Sequence, residues 1–513
     1  MTKFRIALVT LLAISSVAFA ATLIALPKGS GNASSSPSPS PVKVNYGKLT
    51  KYYSQKLDWR DCKDGFECTE LEVPLNYAKP LGSSIQLAVI RRKAPSNWGR
   101  GSLIVNPGGP GGSGIDYARA ADNIMSQNLR NNFDVVGFDP RGVGQSNPIK
   151  CLSDKQLDTV LAADSTPDNS SEVSQLVSLS KQFAALCAKK SPQILRYMDT
   201  VSATKDIDIL RQALGDEKLN WFGKSYGTFL GATYAELFPK RVGRMMLDGA
   251  IDPKLNLAQL SYGQALGFET ELQRFISDCA TQDDCPLSKN VKVATTQITN
   301  MFAKLNRQPA LLDDGRQFTE ALALTGVLGS LYDKMYGWPD LRRALVTAFE
   351  GDYTSLAASA DFYNSRDANG HYTDNGNEAI YAVNCLDRPD RANVAQTEAL
   401  AKKWTKSAPI FGAALAWSNL GCTYWPVPAT GKPGPILAKG SAKILVVGTK
   451  YDPATPYAWA KSLADQLDNA KLLTFVGDGH TAYFQGSDCV DNYVDQYFLI
   501  GRTPKENVCT DGP

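Results

Sequence analysis

Histidine is almost missing from this chain: 513 residues hold two, His371 and His480. Any chemistry that needs an imidazole therefore has two candidates, and a histidine-rich metal site is excluded. Cysteine does not supply one either. Ten are present, but no two stand in a Cys-x-x-Cys spacing, so the thiolate pairs that hold zinc are lacking. Excess charge of one sign is lacking too. Lys plus Arg number 54 and Asp plus Glu 51, a formal net charge of +3, which predicts neither a nucleic-acid footprint nor an acidic partner. Beyond residue 26 nothing reads as a membrane span, and no internal repeat is visible. No metal and no cofactor are expected.

What is present is a substantial apolar fraction, 43%, on a chain long for one compact core. One large domain with an inserted subdomain, or two domains, is expected. Lys3 and Arg5 precede an uncharged run from Ile6 to Leu26, and Ala18-Phe19-Ala20 offers small residues to a signal peptidase. Residues 1–26 are therefore expected to be an export signal. An uncleaved membrane tether is the alternative, because the run is longer than a usual signal core; Thr10, Ser15, Ser16 and Thr22 dilute it and favour cleavage. No cysteine stands nearby for lipid attachment. Gly29 to Pro41 contains only Gly, Asn, Ala, Ser and Pro, a tether over 27–43 that cannot bury apolar surface. An even cysteine count fits export. Taken in order the ten form five neighbouring pairs, of which Cys62–Cys68 and Cys279–Cys285 would close small loops and Cys489–Cys509 would staple the carboxyl end; the connectivity stays open.

Apolar runs at Ser102–Asn106, Phe133–Phe138, Leu219–Phe222 and Val242–Leu247 read as strands, with Leu71–Leu75 and Ile85–Ile90 as earlier ones. Helical spacing appears at Thr204–Leu214 and Thr228–Leu237. Strand and helix alternating at this spacing predict a mostly parallel α/β sheet over 44–252. From 253 to 431 the pattern becomes helical, with scattered aromatics and no buried parallel strand, which predicts an inserted lid. Residues 432–513 return to strand, helix, strand and a closing helix, the carboxyl-terminal part of the core.

Gly223-Lys224-Ser225-Tyr226-Gly227 has the form Gly-x-Ser-x-Gly, in which a sharp strand-to-helix turn exposes a serine hydroxyl at the sheet's carboxyl edge. A serine needs a base, and the base an orienting acid. His371 lies in a polar loop of the lid. His480 follows the last predicted strand, with Gly479 letting its loop approach the serine, and is the expected base. Asp452, after the preceding strand, is the expected acid; a helix cap is its bland role, and Asp478 stands too close in sequence to His480 to orient the ring. The order Ser225, Asp452, His480 is that of α/β-hydrolases. Pro107 to Gly114 can supply a backbone donor for an oxyanion, nominally Gly109, with the amide of Tyr226 as the second. A phosphate loop is the competing use of such glycines, but no Gly-Lys-Ser/Thr directly follows them.

Asn106-Pro107-Gly108-Gly109-Pro110-Gly111-Gly112-Ser113-Gly114, Asp139-Pro140-Arg141-Gly142-x-Gly144-x-Ser146 and Gly223-x-Ser225-Tyr226-Gly227 together resemble the proline-iminopeptidase and tripeptidyl-aminopeptidase group of α/β-hydrolases. The carboxyl part, through Asp452, Asp478-Gly479-His480 and the Cys489 helix, is similar to that of secreted actinobacterial tripeptidyl aminopeptidases. Pro107 departs from the histidine that iminopeptidases carry before the glycine pair. The resemblance implies an exported exopeptidase acting on peptide substrates with free amino termini, and a lid carboxylate to pair with the substrate ammonium. Ala382 to Asp387 resembles the segment that carries this acid, which nominates Asp387 with Glu378 in reserve; a solvated helix acid is the bland reading of each. Cys385, bonded to Cys422, would hold Asp387 rigid. A carboxylesterase or lipase with the same triad is the second reading, and a binding protein without turnover a third, against which a complete triad argues.

Overall fold

Short, almost wholly apolar runs set the frame. Ser102–Asn106 is buried at all five positions, and Ile444–Tyr451 at its first six. Strands with no polar alternate belong to sheets covered on both faces. The computed structural model describes residues 46–95 and 99–511; the expected leader at 1–26 and tether at 27–43 lie outside them. In chain order the strands are β1 (Arg60–Asp61), β2 (Glu67–Pro74), β3 (Ser84–Arg92), β4 (Ser102–Asn106), β5 (Asp134–Phe138), β6 (Leu219–Lys224), β7 (Val242–Asp248), β8 (Ala310–Leu311), β9 (Gln317–Phe318), β10 (Ile444–Tyr451), β11 (Ala470–Asp478) and β12 (Val508–Cys509).

Ten of these form one sheet in the order β1-β2-β3-β5-β4-β6-β7-β10-β11-β12. From β5 to β12 all neighbours are parallel, and β1 to β3 add an antiparallel edge. The chain runs from β4 to β5 on one side, then crosses back to lay β6 on the other. The crevice beyond the carboxyl ends of β4 and β6 lies where strand order reverses, the place at which open parallel sheets put their sites.

Successive side chains serve opposite cores. Ile104, Trp221, Met245, Leu247 and Val446 pack on one face, with the helices Thr200–Ala213 and Tyr226–Leu237. Leu103, Val105, Phe222, Met246 and Leu445 pack on the other, against Val494 and Phe498 of the helix Asp488–Ile500. Each such side chain removed from water contributes about 1.5–3 kcal/mol, which is why period two is enforced even where the sequence reads as a continuous apolar run.

Between β7 and β10 stand the helices of the lid, from Leu257–Cys279 to Leu420–Thr423, with β8 and β9 as a small antiparallel ribbon. Much of it has its own core around Phe275, Phe318, Trp338 and Phe411. The helix Gly376–Asp387 differs: Ala379, Ala382, Val383 and Leu386 join the core of the sheet instead. Two further helices, Asp154–Leu161 and Ser170–Lys190, stand between β5 and the helix Thr200–Ala213. Five disulfides join the cysteines in neighbouring pairs: Cys62–Cys68, Cys151–Cys187, Cys279–Cys285, Cys385–Cys422 and Cys489–Cys509. Among the described residues no helix is long and apolar enough to cross a membrane.

The Asp-Pro-Arg-Gly motif is a staple behind the crevice. Asp139 accepts the Ser113 hydroxyl and the N–H groups of Ile115 and Gln145, tying the exit of the glycine loop to the end of β5. Arg141 is 1% exposed and grips Asp206 at 2.7 and 2.6 Å while donating to the carbonyls of Pro74, Leu75 and Tyr197. Arg141→Met leaves Asp206 buried without a counter-charge and is expected to cost about 3–5 kcal/mol, read as a lowered urea midpoint. A loss below about 1 kcal/mol would mean that the Asp206 carboxyl is tolerated there without the guanidinium.

Candidate active site

Ser225 stands between β6 and the helix Tyr226–Leu237 with φ 53° and ψ −124°, a left-handed conformation that a non-glycine residue adopts only when its surroundings impose it. The surroundings are specific. The Ser225 N–H donates to the Asp248 carbonyl at 2.9 Å, and the Ser225 carbonyl accepts both the N–H and the hydroxyl of Thr228. Both flanking glycines are obligatory. A Cβ on Gly223 would lie 2.5 Å from the Gly227 carbonyl oxygen, and one on Gly227 would lie 2.8 Å from that of Asn106.

The glycine loop after β4 meets this turn directly. Gly108 has φ +103°, and a Cβ there would fall 2.8 Å from both the Ser225 Cβ and the Tyr226 nitrogen. Its N–H is taken by Asn106 Oδ1 at 3.1 Å. Among the described residues the N–H groups of Gly109 and Tyr226 have no acceptor. Gly108 is thus the glycine demanded by close approach, and Gly109 beside it keeps a free donor.

The structure brings Asp452 and His480 together. His480 Nδ1 lies 2.9 and 3.0 Å from the two oxygens of Asp452. Asp452, 2% exposed, also accepts the N–H groups of Ala454, Thr455 and Thr481 and the Thr455 hydroxyl. It therefore caps its own turn and orients the imidazole at once. Thr455 Oγ1 lies 3.4 Å from His480 Nδ1, a second group at that nitrogen. The loop after His480 is held to the core: the Asp248 carboxylate accepts the N–H groups of Ala482 and Tyr483, and Lys224 Nζ donates to the Tyr483 carbonyl at 2.7 Å. Burial pushes the Asp248 carboxyl above its ordinary range and the Lys224 ammonium below its own. Gly249, next along from Asp248, faces the imidazole, since a Cβ on it would stand 3.2 Å from His480 Cε1.

Gly479 serves a different neighbour from the one expected. It has φ +85°, and a Cβ there would sit 3.0 Å from the carbonyl oxygen of Tyr332 in the lid, so the glycine admits the lid backbone. Asp478 pairs with Arg274 and Lys334, away from the ring. His371 is exposed, with Nδ1 2.8 Å from Asp154, which raises its pKa.

The two lid acids are both buried on the helix Gly376–Asp387. This helix starts against the glycine loop: a Cβ on Gly111 would meet Ala379 Cβ at 3.0 Å and Gly376 Cα at 3.1 Å. Asp387, at its far end, accepts the N–H and hydroxyl of Thr200, and that hydroxyl also bonds the phenol of Tyr226. Burial raises the Asp387 carboxyl to about 6. Glu378 accepts the N–H groups of Cys151 and Leu152 and caps that turn. Sequence reasoning missed Glu271, a fully buried acid whose Oε1 accepts the Gly479 N–H at 2.7 Å, one residue from His480. In the sequence it is one polar residue in a long amphipathic helix, and nothing local marks it.

Gly108→Ala is expected to slow labelling of Ser225 by a fluorophosphonate about a hundredfold or more, with the circular dichroism unchanged, because the methyl displaces the serine and the neighbouring N–H donors. An unaltered labelling rate would show that the loop can withdraw without disturbing the nucleophile.

A family model described as alpha/beta hydrolase fold matches residues 101–487. The chain is 37% identical over 474 residues to "Serine protease Hip1" of Mycobacterium tuberculosis, covering 88% of this chain and 90% of that one. It is 37% identical over 467 residues to "Carboxylesterase B" of the same organism, covering 87% and 88%. It is 31% identical over 465 residues to "Tripeptidyl aminopeptidase" of Streptomyces lividans, covering 88% and 86%. The serine at the strained turn, the glycine loop against it and the Asp452–His480 pair stand in a sheet of this architecture, and the chain belongs to the α/β-hydrolase family as a serine hydrolase.

Proposed function

We propose that this protein is an exported serine exopeptidase that releases short peptides, tripeptides foremost, from free amino termini. The observation that carries this reading is the helix Gly376–Asp387, which packs on the glycine loop at one end and holds a buried carboxyl beside Tyr226 at the other. A carboxyl next to the residue that follows the nucleophile suits an ammonium group a few residues from the scissile bond. The serine protease and tripeptidyl aminopeptidase among the relatives support a peptide substrate. The uncharged stretch Ile6–Leu26, the Ala18-Phe19-Ala20 site and five disulfides support export. The proposed division is a core over 44–252 and 432–513 that carries the chemistry and a lid over 253–431 that selects the substrate.

In the proposed mechanism His480 Nε2 takes the Ser225 proton as Oγ bonds to the scissile carbonyl carbon. Asp452 holds the Nδ1–H and stabilises the imidazolium. The N–H groups of Gly109 and Tyr226 receive the oxyanion. Collapse breaks the C–N bond, and His480 gives its proton to the leaving amine. Water, deprotonated by the same imidazole, then releases the acyl group and restores Ser225. The ester-hydrolysing alternative uses identical steps and is favoured by the carboxylesterase at the same 37% identity. Free-amine and amino-acetylated forms of one peptide separate the two: equal rates, both slower than a short-chain ester, would overturn the exopeptidase reading.

His480→Ala is expected to lower kcat by about 10^6, as loss of the base does in other serine hydrolases, and His371→Ala to leave it unchanged. Equal losses would break the assignment of the base. The Asp387 carboxyl is charged above about 6 and neutral below. Pairing with an ammonium therefore holds at higher pH and is lost as pH falls through about 6. KM for free-amine peptides is expected to rise across that fall while KM for acetylated ones does not, and Asp387→Asn should show the raised KM at every pH. A preference for free amines that survives Asp387→Asn would transfer the role to another acid, Glu378 first.

A further inference from the structure

The His480 loop is held from two sides. The core takes the residues after the histidine: Thr481 donates its N–H to Asp452, and Ala482 and Tyr483 donate theirs to Asp248. The lid takes the two N–H groups on the other side. Gly479 donates to Glu271 Oε1 at 2.7 Å, and His480 itself donates to the Tyr332 carbonyl at 2.8 Å. The Tyr332 ring also stands edge-on to the imidazole at 5.2 Å between centroids. Before the histidine, Asp478 is gripped by Arg274 and by Lys334 at 3.0 Å. Thr481 adopts φ 70°, so the loop does not take this shape unaided.

Glu271 is the unusual member. It is 0% exposed, and its Oε2 has no partner among the described residues. The groups that face it are Asp478 at the end of β11, Asp452 after β10 and Arg274 one turn along its own helix; Lys334 lies beyond, on Asp478. Arg274 is itself committed to Asp478 and to the face of Tyr451, 3.5 Å from the ring centroid. Burial, followed by Asp478, pushes the Glu271 carboxyl up to about 9. At neutral pH it is an uncharged acid. An unpaired neutral O–H in the interior costs far less than an unpaired charge there, and a neutral acid can accept the Gly479 N–H without adding a third anion beside Asp452 and Asp478.

We propose that Glu271 is a positioning residue for His480: from the lid, its Oε1 fixes the Gly479–His480 backbone and so the reach of the imidazole to Ser225. The inference rests on His480 being the base. It makes the lid a working part of the catalytic apparatus as well as its cover. It also requires the carboxyl to stay protonated, because an anion at Glu271 would repel Asp478 and Asp452 and displace the loop.

The test compares wild type, Glu271→Gln, Glu271→Leu and His480→Ala on a free-amine peptide and on a short-chain ester. Glu271→Gln keeps an acceptor for Gly479 and cannot ionise. Its kcat is expected within about twofold of wild type at pH 8. Wild-type kcat should fall as pH passes about 9, and that alkaline fall should be absent in Glu271→Gln. Glu271→Leu removes the acceptor and should lower kcat on both substrates about ten- to a hundredfold, with KM within about threefold, as displacement of a catalytic group does. Wild-type kcat in Glu271→Leu, or the same alkaline fall in wild type and Glu271→Gln, or no alkaline fall in wild type, overturns the proposal. If Glu271→Leu does not fold, the comparison of the two pH profiles decides alone. Turnover surviving His480→Ala would instead refute the assignment of the base, whereas an inactive His480→Ala beside an unaffected Glu271→Leu refutes only the role of Glu271.

Discussion

Asp248 ends β7 and is used at both of its polar ends. Its carbonyl accepts the N–H of Ser225, and its carboxylate accepts the N–H groups of Ala482 and Tyr483. One buried residue thereby joins the turn that carries the serine to the loop that carries the histidine, although 255 positions separate Ser225 from His480. Lys224, the residue before the serine, adds a second tie by donating to the Tyr483 carbonyl. The strained backbone at Ser225 persists because these bonds over-determine it. The glycines at 108, 223 and 227 are the sterically open positions that let three chain segments approach within contact of the same turn.

The two substructures divide the work unequally. The sheet carries Ser225, Asp452 and the free N–H donors at Gly109 and Tyr226, all at carboxyl ends of parallel strands. The histidine loop is shared, with the core holding its ring and following residues and the lid holding its own N–H and that of Gly479. The lid is also not uniform. Its helix Gly376–Asp387 buries its apolar face in the core of the sheet and its acids against Thr200 and Cys151, and Cys385–Cys422 ties it to the short helix Leu420–Thr423.

Much of the core was legible because its signals are local. β4, β5, β6 and β7 are short, mostly apolar runs whose expected bounds agree with the observed ones to within one or two residues, whereas β2 begins at Glu67, ahead of the expected Leu71, where polar residues alternate along an edge of the sheet. The neighbouring disulfides follow chain order. The helices Asp154–Leu161 and Ser170–Lys190 are marked in the sequence only by capping boxes at Ser153/Gln156 and Asn169/Glu172, two-residue signals that are weak in a polar stretch. For Gly479 the sequence suggests the approach of the serine, but the carbonyl that requires a glycine there belongs to Tyr332, which no local pattern reveals. Glu271 left no trace at all, since a buried acid and a solvated one look alike on a helix.

The amino-acid sequence by itself determined the order of the candidate groups along the chain: a serine in a turn that only flanking glycines allow, then Asp452, then the one histidine that follows a strand. Those choices are dictated by local sterics and by the scarcity of histidine, both of which are readable without a fold. Only the tertiary structure decided which groups lie within hydrogen-bond reach of them. The pairing of Asp248 with the histidine loop, the seating of Asp387 on Thr200 and the neutral carboxyl of Glu271 under Gly479 all join residues more than 180 positions apart. Their protonation and hydrogen bonding depend on burial, and burial is a property of the packed layers rather than of any stretch of chain.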